Sequence, residues 1–199
     1  MPIDTTTREM LDRTIAVIET DGEEGVRVVD IAKHVGVAVA TLFHLFGNRE
    51  SLIHAAQVER YVRGQRELIE EFDVAAAIAR TKEEFRAVVI RLIRSELAPA
   101  NAAKRHSRQA ALGSAFGRDE LTAVMAHSHH SLCLGLQVPF DRAQEKFWID
   151  PDLDTLAMAH WMIGLFNSRV LIEVGSPHLD RRAWDDLSLR SILRLIFVD

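Results

Sequence analysis

VVDIAKHVGVAVATLFHLFGNRESL, residues 28–52, is the stretch on which the reading of this chain turns. Val28, Ile31, Ala32 and Val35 share one helical face, and that run stops at Gly36. A second short run, from about Ala38 to Leu45, starts almost at once and closes at Phe46-Gly47. Two short helices joined through Gly36-Val37 are the sequence form of a helix-turn-helix, with Gly36 permitting the tight turn and Val37 filling the crook. Leu42 and Phe46, four apart, face inward on this register, which turns Ala40, Thr41 and His44 outward. That outward face is where such a second helix meets a major groove.

Working outward, Thr6-x-x-Glu9 has the reciprocal capping-box spacing and predicts a first helix from Thr6. Its buried stripe is Leu11, Ile15 and Ile18, and it ends near Asp21-Gly22. Asn48 caps a long fourth helix through about Val74, with Glu50 in its first turn suiting the helix dipole. Further helices are expected at roughly 81–98, 102–114, 119–135, 140–148, 152–174 and 180–198, from the three- and four-residue recurrence of apolar positions. All five prolines, at 2, 99, 139, 151 and 177, stand where they punctuate helices rather than interrupt them. Apolar residues almost never alternate, so no strand is expected. The fold class is all-α, with a three-helix head over residues 1–48 and a larger helical body over 49–199.

At these residues the sequence resembles the TetR family of bacterial transcriptional regulators. The family's amino-terminal pattern is met by Gly22, Ile31-Ala32, Gly36-Val37, Leu42-Phe43 with Phe46, and Arg49-Glu50 with Leu52, without a gap over about 45 residues. The sequence departs from that pattern at Glu23, where an aromatic is usual, and at Val26-Arg27, where a small hydroxyl residue commonly opens the second helix. Ala38 replaces the usual Ser cap of the third helix, a loss of about 1 kcal/mol. Phe43 stands for a tyrosine that often reaches a phosphate, and Leu45 for a His or Tyr. The resemblance implies a TetR-like fold and a ligand-responsive homodimeric repressor on a pseudo-palindromic operator. The alternative is a dimeric ligand-binding or interaction module whose DNA head has decayed.

For DNA contact, Thr41 and His44 reach base edges or phosphates, while Val39 and Ala40 offer apolar contact to thymine methyls. Phe43 lies on the same helix, and Arg27, Lys33 and Arg49 are candidate phosphate partners. In the body, Leu156, His160, Ile163, Asn167 and Val170 line one stripe, joined in the last helix by Leu189, Ile192, Leu193 and Ile196. Both helices together resemble the two that each subunit contributes to a four-helix dimer interface. The pocket that the resemblance implies for a largely apolar small-molecule effector would draw on Phe85, Val89, Leu92, Phe116, Met125, Trp161 and Leu165, with His129 as a polar group that orients the ligand.

His127 and His130 are three apart, and His129 and Cys133 four apart, but the two pairs point in different directions. No complete tetrahedral set can be counted from them, so no metal and no cofactor are expected. Nor is an enzyme: no Glu precedes a His by three residues, and no Gly-x-Ser-x-Gly, His-Glu-x-x-His or phosphate-cradling glycine loop occurs.

Composition agrees with a folded regulator. The chain has 199 residues, 48% of them hydrophobic, and a single cysteine, which argues against a disulfide-stapled secreted domain. The opening MPIDTTTREM shows no basic segment followed by an apolar one, and no apolar run is long enough to cross a membrane, so a cytoplasmic protein with no membrane partner is expected. The net charge of −5 looks unfavourable for a DNA binder. Of the nine acids in residues 1–50, however, eight lie in residues 1–32, and none lies between Lys33 and Arg49. Within that gap the side chains able to carry charge are His34 and His44.

Overall fold

The computed structural model describes residues 4–175 and 179–197. Among them are nine α-helices: α1 (Thr5–Asp21), α2 (Val28–Val35), α3 (Val39–Phe46), α4 (Arg49–Ile78), α5 (Lys82–Leu97), α6 (Ala102–Ser114), α7 (Asp119–Glu145), α8 (Thr155–Gly175) and α9 (Arg181–Ile196). Short 3-10 turns lie at Glu23–Gly25 and Pro99–Asn101, and no strand occurs among the described residues. Pro2, Pro177 and Val198, the last residue of the expected final helix, lie outside them.

The chain divides into two compact units. The head unit contains the residues up to Tyr61 together with Ala111–Met125; the body unit contains Val62–Ala110 and the chain from Ala126 onward. The head therefore extends past residue 48 and takes in a segment from far along the sequence.

In the head, α1 begins at Thr5, and its cap stands two residues before the Thr6 of the capping-box reading. The cap is Asp4, whose carboxylate accepts from the Thr7 amide at 3.0 Å and the Thr7 hydroxyl at 2.6 Å. Gly36 takes the left-handed conformation (φ 78°, ψ 29°) that ends α2. Its amide donates to Lys33 at 3.3 Å, and the Val37 amide donates back to the Ala32 carbonyl at 3.0 Å. These paired bonds satisfy carbonyls at the helix end and fix the exit of the chain, so that α3 crosses α2 at 109°. Met10, Leu11, Val17 and Ile18 of α1, Ile31 and Ala32 of α2, Leu42 of α3 and Leu52, Ile53 and Ala56 of α4 close one core. Val37 and Phe46 pack against it, as the register requires.

In the body, Phe72, Phe85, Phe140, Trp148 and Phe197 form an aromatic cluster with ring centroids 5.4–6.3 Å apart. A second centre is charged. Arg108 donates to Glu96 at 2.9 Å, Arg105 pairs with Glu173, and Arg169 donates to Asp185 at 2.6 Å, with all three arginines buried. Such pairs are costly to halve, because the remaining charge is left in the interior. Burial works against ionising Glu173, yet Arg105, Arg169 and His106 hold its carboxyl below the ordinary range.

Two expectations change here. The segments read as 119–135 and 140–148 are one helix, because Pro139 lies inside α7. A proline removes the bond to the carbonyl four residues back and crowds it, and that residue is Gly135, which has no side chain to add to the crowding. In the expected partner stripe, Ile163, Ile192, Leu193 and Ile196 are buried in the chain's own body, while Leu156, His160, Asn167, Val170 and Leu189 are half-buried.

The α3 amino terminus tests this local account. Ala38 sits at the cap position with extended backbone (φ −69°, ψ 145°) and supplies no side-chain acceptor. Ala38→Ser is expected to raise head stability by about 0.5–1 kcal/mol, read as an upward shift in thermal unfolding followed by circular dichroism. No change, or a loss, would mean that the α3 terminus is satisfied otherwise.

Candidate functional site

The head presents a defined outer face on α3. Leu42 is buried, while Ala40, Thr41, Phe43, His44 and Leu45 are exposed. Val39 is half-buried against the head core, so its methyls are only partly available. Lys33 and His34, in the last turn of α2, and Arg27, at the start of α2, are exposed as well. The Asn48 side chain accepts from the Ser51 amide at 2.8 Å and so caps α4 as expected. Structure thus groups Arg27, Lys33, Ala40, Thr41, Phe43 and His44 as exposed head residues.

Arg49 behaves differently from the expectation. Its guanidinium donates to the Val26 carbonyl at 2.8 Å and to the Glu23 carbonyl, tying the turn after α1 to the start of α4. It is a brace within the head, and a phosphate contact is left only the donors that these bonds do not use.

The residue that sequence reading missed is Arg118. It belongs to the same unit, just before α7, and one of its nitrogens donates to both Glu23 carboxylate oxygens at 2.9 Å. The other donates to Glu50 at 2.6 Å, and Gln57 reaches Glu23 at 2.7 Å. Hydrogen bonding by Arg118 is the main cause that holds the Glu50 carboxyl below its ordinary value, with His54 at 3.2 Å adding to it. Glu23, the departure from the aromatic pattern, is therefore an anchor for a cation 95 residues away. No local signal announces a pair of that separation.

The residues expected around a ligand are divided between the two units. Phe116 is 85% exposed and, with the buried Met125, belongs to the head unit. Phe85 is fully committed to the aromatic cluster, Val89 is buried, and Trp161 is exposed. Of those expected residues, Leu92 lines cavities of the body. One, about 270 Å³, is bounded by Leu68, Phe72, Ala75, Val88, Leu92 and Ser95 among others. A narrower one adjoins it at Leu68 and Leu92 and carries Gln65 and Glu96 among Ile69, Leu136, Ile163 and Phe166. A third, about 360 Å³, lies between Val62, Arg66 and Ile69 of α4 and His127, Ser131 and Leu132 of α7.

His129 is elsewhere, against Cys133, with its Nε2 3.6 Å from the Cys133 sulfur. Burial and then the neighbouring His160 and His130 lower its pKa, while burial pushes the Cys133 thiol up to about 11. On the outer side of α8, Trp161, Gly164 and Leu171 are exposed, with Ser168 half-buried; on α9, Leu187, Ser191 and Leu195 are exposed. No single helix among the described residues is long and apolar enough to cross a membrane.

Comparison with known proteins gives this geometry a context. Residues 10–56 match the profile of the bacterial regulatory proteins, tetR family. A protein of known structure from Mesorhizobium loti MAFF303099, assigned to the TetR family of transcriptional regulators, superposes with a TM-score of 0.70 at 15% identity, covering 97% of each chain. One from Rhodococcus sp., likewise assigned, gives 0.68 at 19% identity over 96% of this chain and 98% of its own. The transcriptional regulator FadR from Bacillus subtilis, in complex with stearoyl-CoA, gives 0.62 at 20% identity over 93% and 96%. No curated protein matches the chain in sequence.

The Arg118 contacts generate a pH-dependent expectation. A depressed carboxyl pKa contributes stability that is present above the unfolded value and lost as pH falls through the folded one. Arg118→Ala should therefore cost about 1 kcal/mol or less at neutral pH, both partners being solvent-accessible, and the deficit should vanish in acid. Carboxyl-resolved NMR titration should show Glu50 moving up toward the ordinary range in that variant. An unmoved Glu50 would remove the assigned cause.

Proposed function

This chain belongs to the TetR family of bacterial regulatory proteins, and we propose that it is a cytoplasmic, ligand-responsive homodimeric repressor that binds a pseudo-palindromic operator in double-stranded DNA. The observation that carries this reading is the exposed outer face of α3, held at 109° to α2 and flanked by Lys33 without any acid between it and Arg49. Thr41 and His44 read base edges, Ala40 meets a thymine methyl, and Phe43 adds an apolar contact. Arg27 and Lys33 hold phosphates, joined by the amides at the start of α4. These are recognition roles, and the chain acts by binding rather than by catalysis.

One head covers half a site, so the operator needs two chains. In place of the stripe read from sequence, we assign the partner contact to the outer face of α8 and α9. Trp161, Gly164, Ser168 and Leu171 repeat at spacings of three, four and three; Leu187, Ser191 and Leu195 repeat at four. That is the pattern of a helix-packing seam, with small residues permitting close approach. Leu171 and Leu187 are 68% and 57% exposed in the single chain, a surface that a dimer removes from water.

The effector reading rests on the apolar cavities along α4, α5, α7 and α8. A largely apolar small molecule fits the shared Leu68 and Leu92 walls, with Gln65 and Glu96 to orient it. That the similar Bacillus subtilis regulator is found with stearoyl-CoA supports an elongated apolar ligand. Binding would select the dimer conformation whose head spacing no longer fits the half-sites, and a differential affinity of a few kcal/mol suffices.

Footprinting of the DNA upstream of the chain's own gene, at moderate salt, tests the function. A protected pseudo-palindrome is expected. His44→Ala should weaken it by about tenfold or more and relax its sequence preference. Lys33→Ala should weaken all sequences alike and reduce the salt slope by about 1. No protection at any neighbouring promoter, with or without cell extract, would favour a module whose DNA head has decayed. Separately, Leu171→Glu is expected to give monomers in light-scattering chromatography with helicity unchanged; a persisting dimer would displace the proposed seam.

A further inference from the structure

Within the body, α7 and α8 bring together three side chains that the regulator reading does not use. His129 and Cys133 are one turn apart on α7, and His160 comes from α8. One ligand atom from each lies within 4.8 Å of the others. The His160 ring meets His129 edge-on at 5.1 Å, and the His130 ring stacks with it at 5.7 Å. Cys133 is fully buried and the two ligand histidines are half-buried, so the cluster is neither a surface scatter nor sealed from solvent.

We propose that His129, Cys133 and His160 form a binding site for a transition-metal ion of the zinc class, with the fourth position taken by water. The geometry carries this. A tetrahedral centre with a metal–sulfur distance of about 2.3 Å and a metal–nitrogen distance of about 2.05 Å sets sulfur and nitrogen about 3.6 Å apart. Cys133 sulfur and His129 Nε2 are 3.6 Å apart. His160 has to close by roughly an ångström, a side-chain adjustment from within the 4.8 Å envelope. The donor set decides the ion: one thiolate and two imidazoles suit zinc and its neighbours, while magnesium and calcium want oxygen ligands that this group lacks. As the sulfur–metal bond forms, the thiol proton leaves to solvent, and the divalent ion with one thiolate retains a single positive charge. Sequence reading paired His129 with Cys133 but had no reason to add His160, 27 positions beyond Cys133 and on another helix.

This site stands apart from the DNA reading, and its test uses the reduced full-length chain and cobalt(II) alone as probe. Titration is expected to produce thiolate-to-cobalt charge-transfer absorption and the visible bands of a four-coordinate centre, saturating at one ion per chain and bleached by zinc(II). Cys133→Ser should remove the charge-transfer band. His160→Ala should weaken binding by more than about tenfold, since even losing an outer partner of a ligand costs that much. His127→Ala, on the cavity side of α7, should leave binding unchanged. X-ray absorption of the zinc-loaded chain should show one sulfur at about 2.3 Å with nitrogen at about 2.0–2.1 Å, which reads the site without any variant. Absence of the cobalt bands in the wild type, or a zinc spectrum without sulfur, would overturn the proposal. So would charge transfer that survives Cys133→Ser.

Discussion

The way α2 stops governs what the head can present. Its last turn ends on a left-handed Gly36, and the bond from Val37 back to Ala32 turns the chain before α3 can begin. A residue with a β-carbon in that conformation bears a cost of about 1–2 kcal/mol, so the turn is written into the sequence by the absence of a side chain. The crossing at 109° then decides which side of α3 the core takes. With Leu42 inward and Phe46 against the core, Thr41 and His44 have only the outer side left. The side chains that α3 presents are therefore a by-product of backbone geometry five residues earlier.

Much of this was legible because head and turn obey short-range rules. Helix limits in α2 to α4 follow from Gly36, Gly47 and Asn48, each acting on its immediate neighbours. Legibility failed where two long-range solutions share one local pattern. Helix α8 is apolar on two sides, and periodicity does not say which side its own chain will cover. Ile163 went inside, while Trp161 and Leu171 stayed outside. Pro139 reads as a boundary by its residue type, yet α7 continues through it. Ligand residues were least legible, since Phe85 and Val89 carry the same signal whether they line a cavity or fill a core.

Charge tells a similar story at two scales. The net −5 of the chain misleads about the head, because no acid lies between Lys33 and Arg49 and one of the earlier acids, Glu23, is engaged by Arg118 and Gln57. In the body, three buried arginines are matched by Glu96, Glu173 and Asp185, which binds α5, α6, α8 and α9 through pairs whose register admits little slippage.

The clamp from Arg118 to Glu23 and Glu50 bears on how heads of this kind are exchanged. A head cut out as a contiguous cassette ending after α3 would lose the brace that Arg49 supplies and the leucine and isoleucine with which α4 closes the core. One cut at Tyr61 would keep those and still leave Glu23 and Glu50 without their cation. The transferable piece is discontinuous: a donor head would have to bring the segment Ala111–Met125 with it, or reinvent an arginine at that place in the acceptor. The head is thus modular in space but not in sequence, and exchange of the amino-terminal end alone would leave its ion pairs with Arg118 behind.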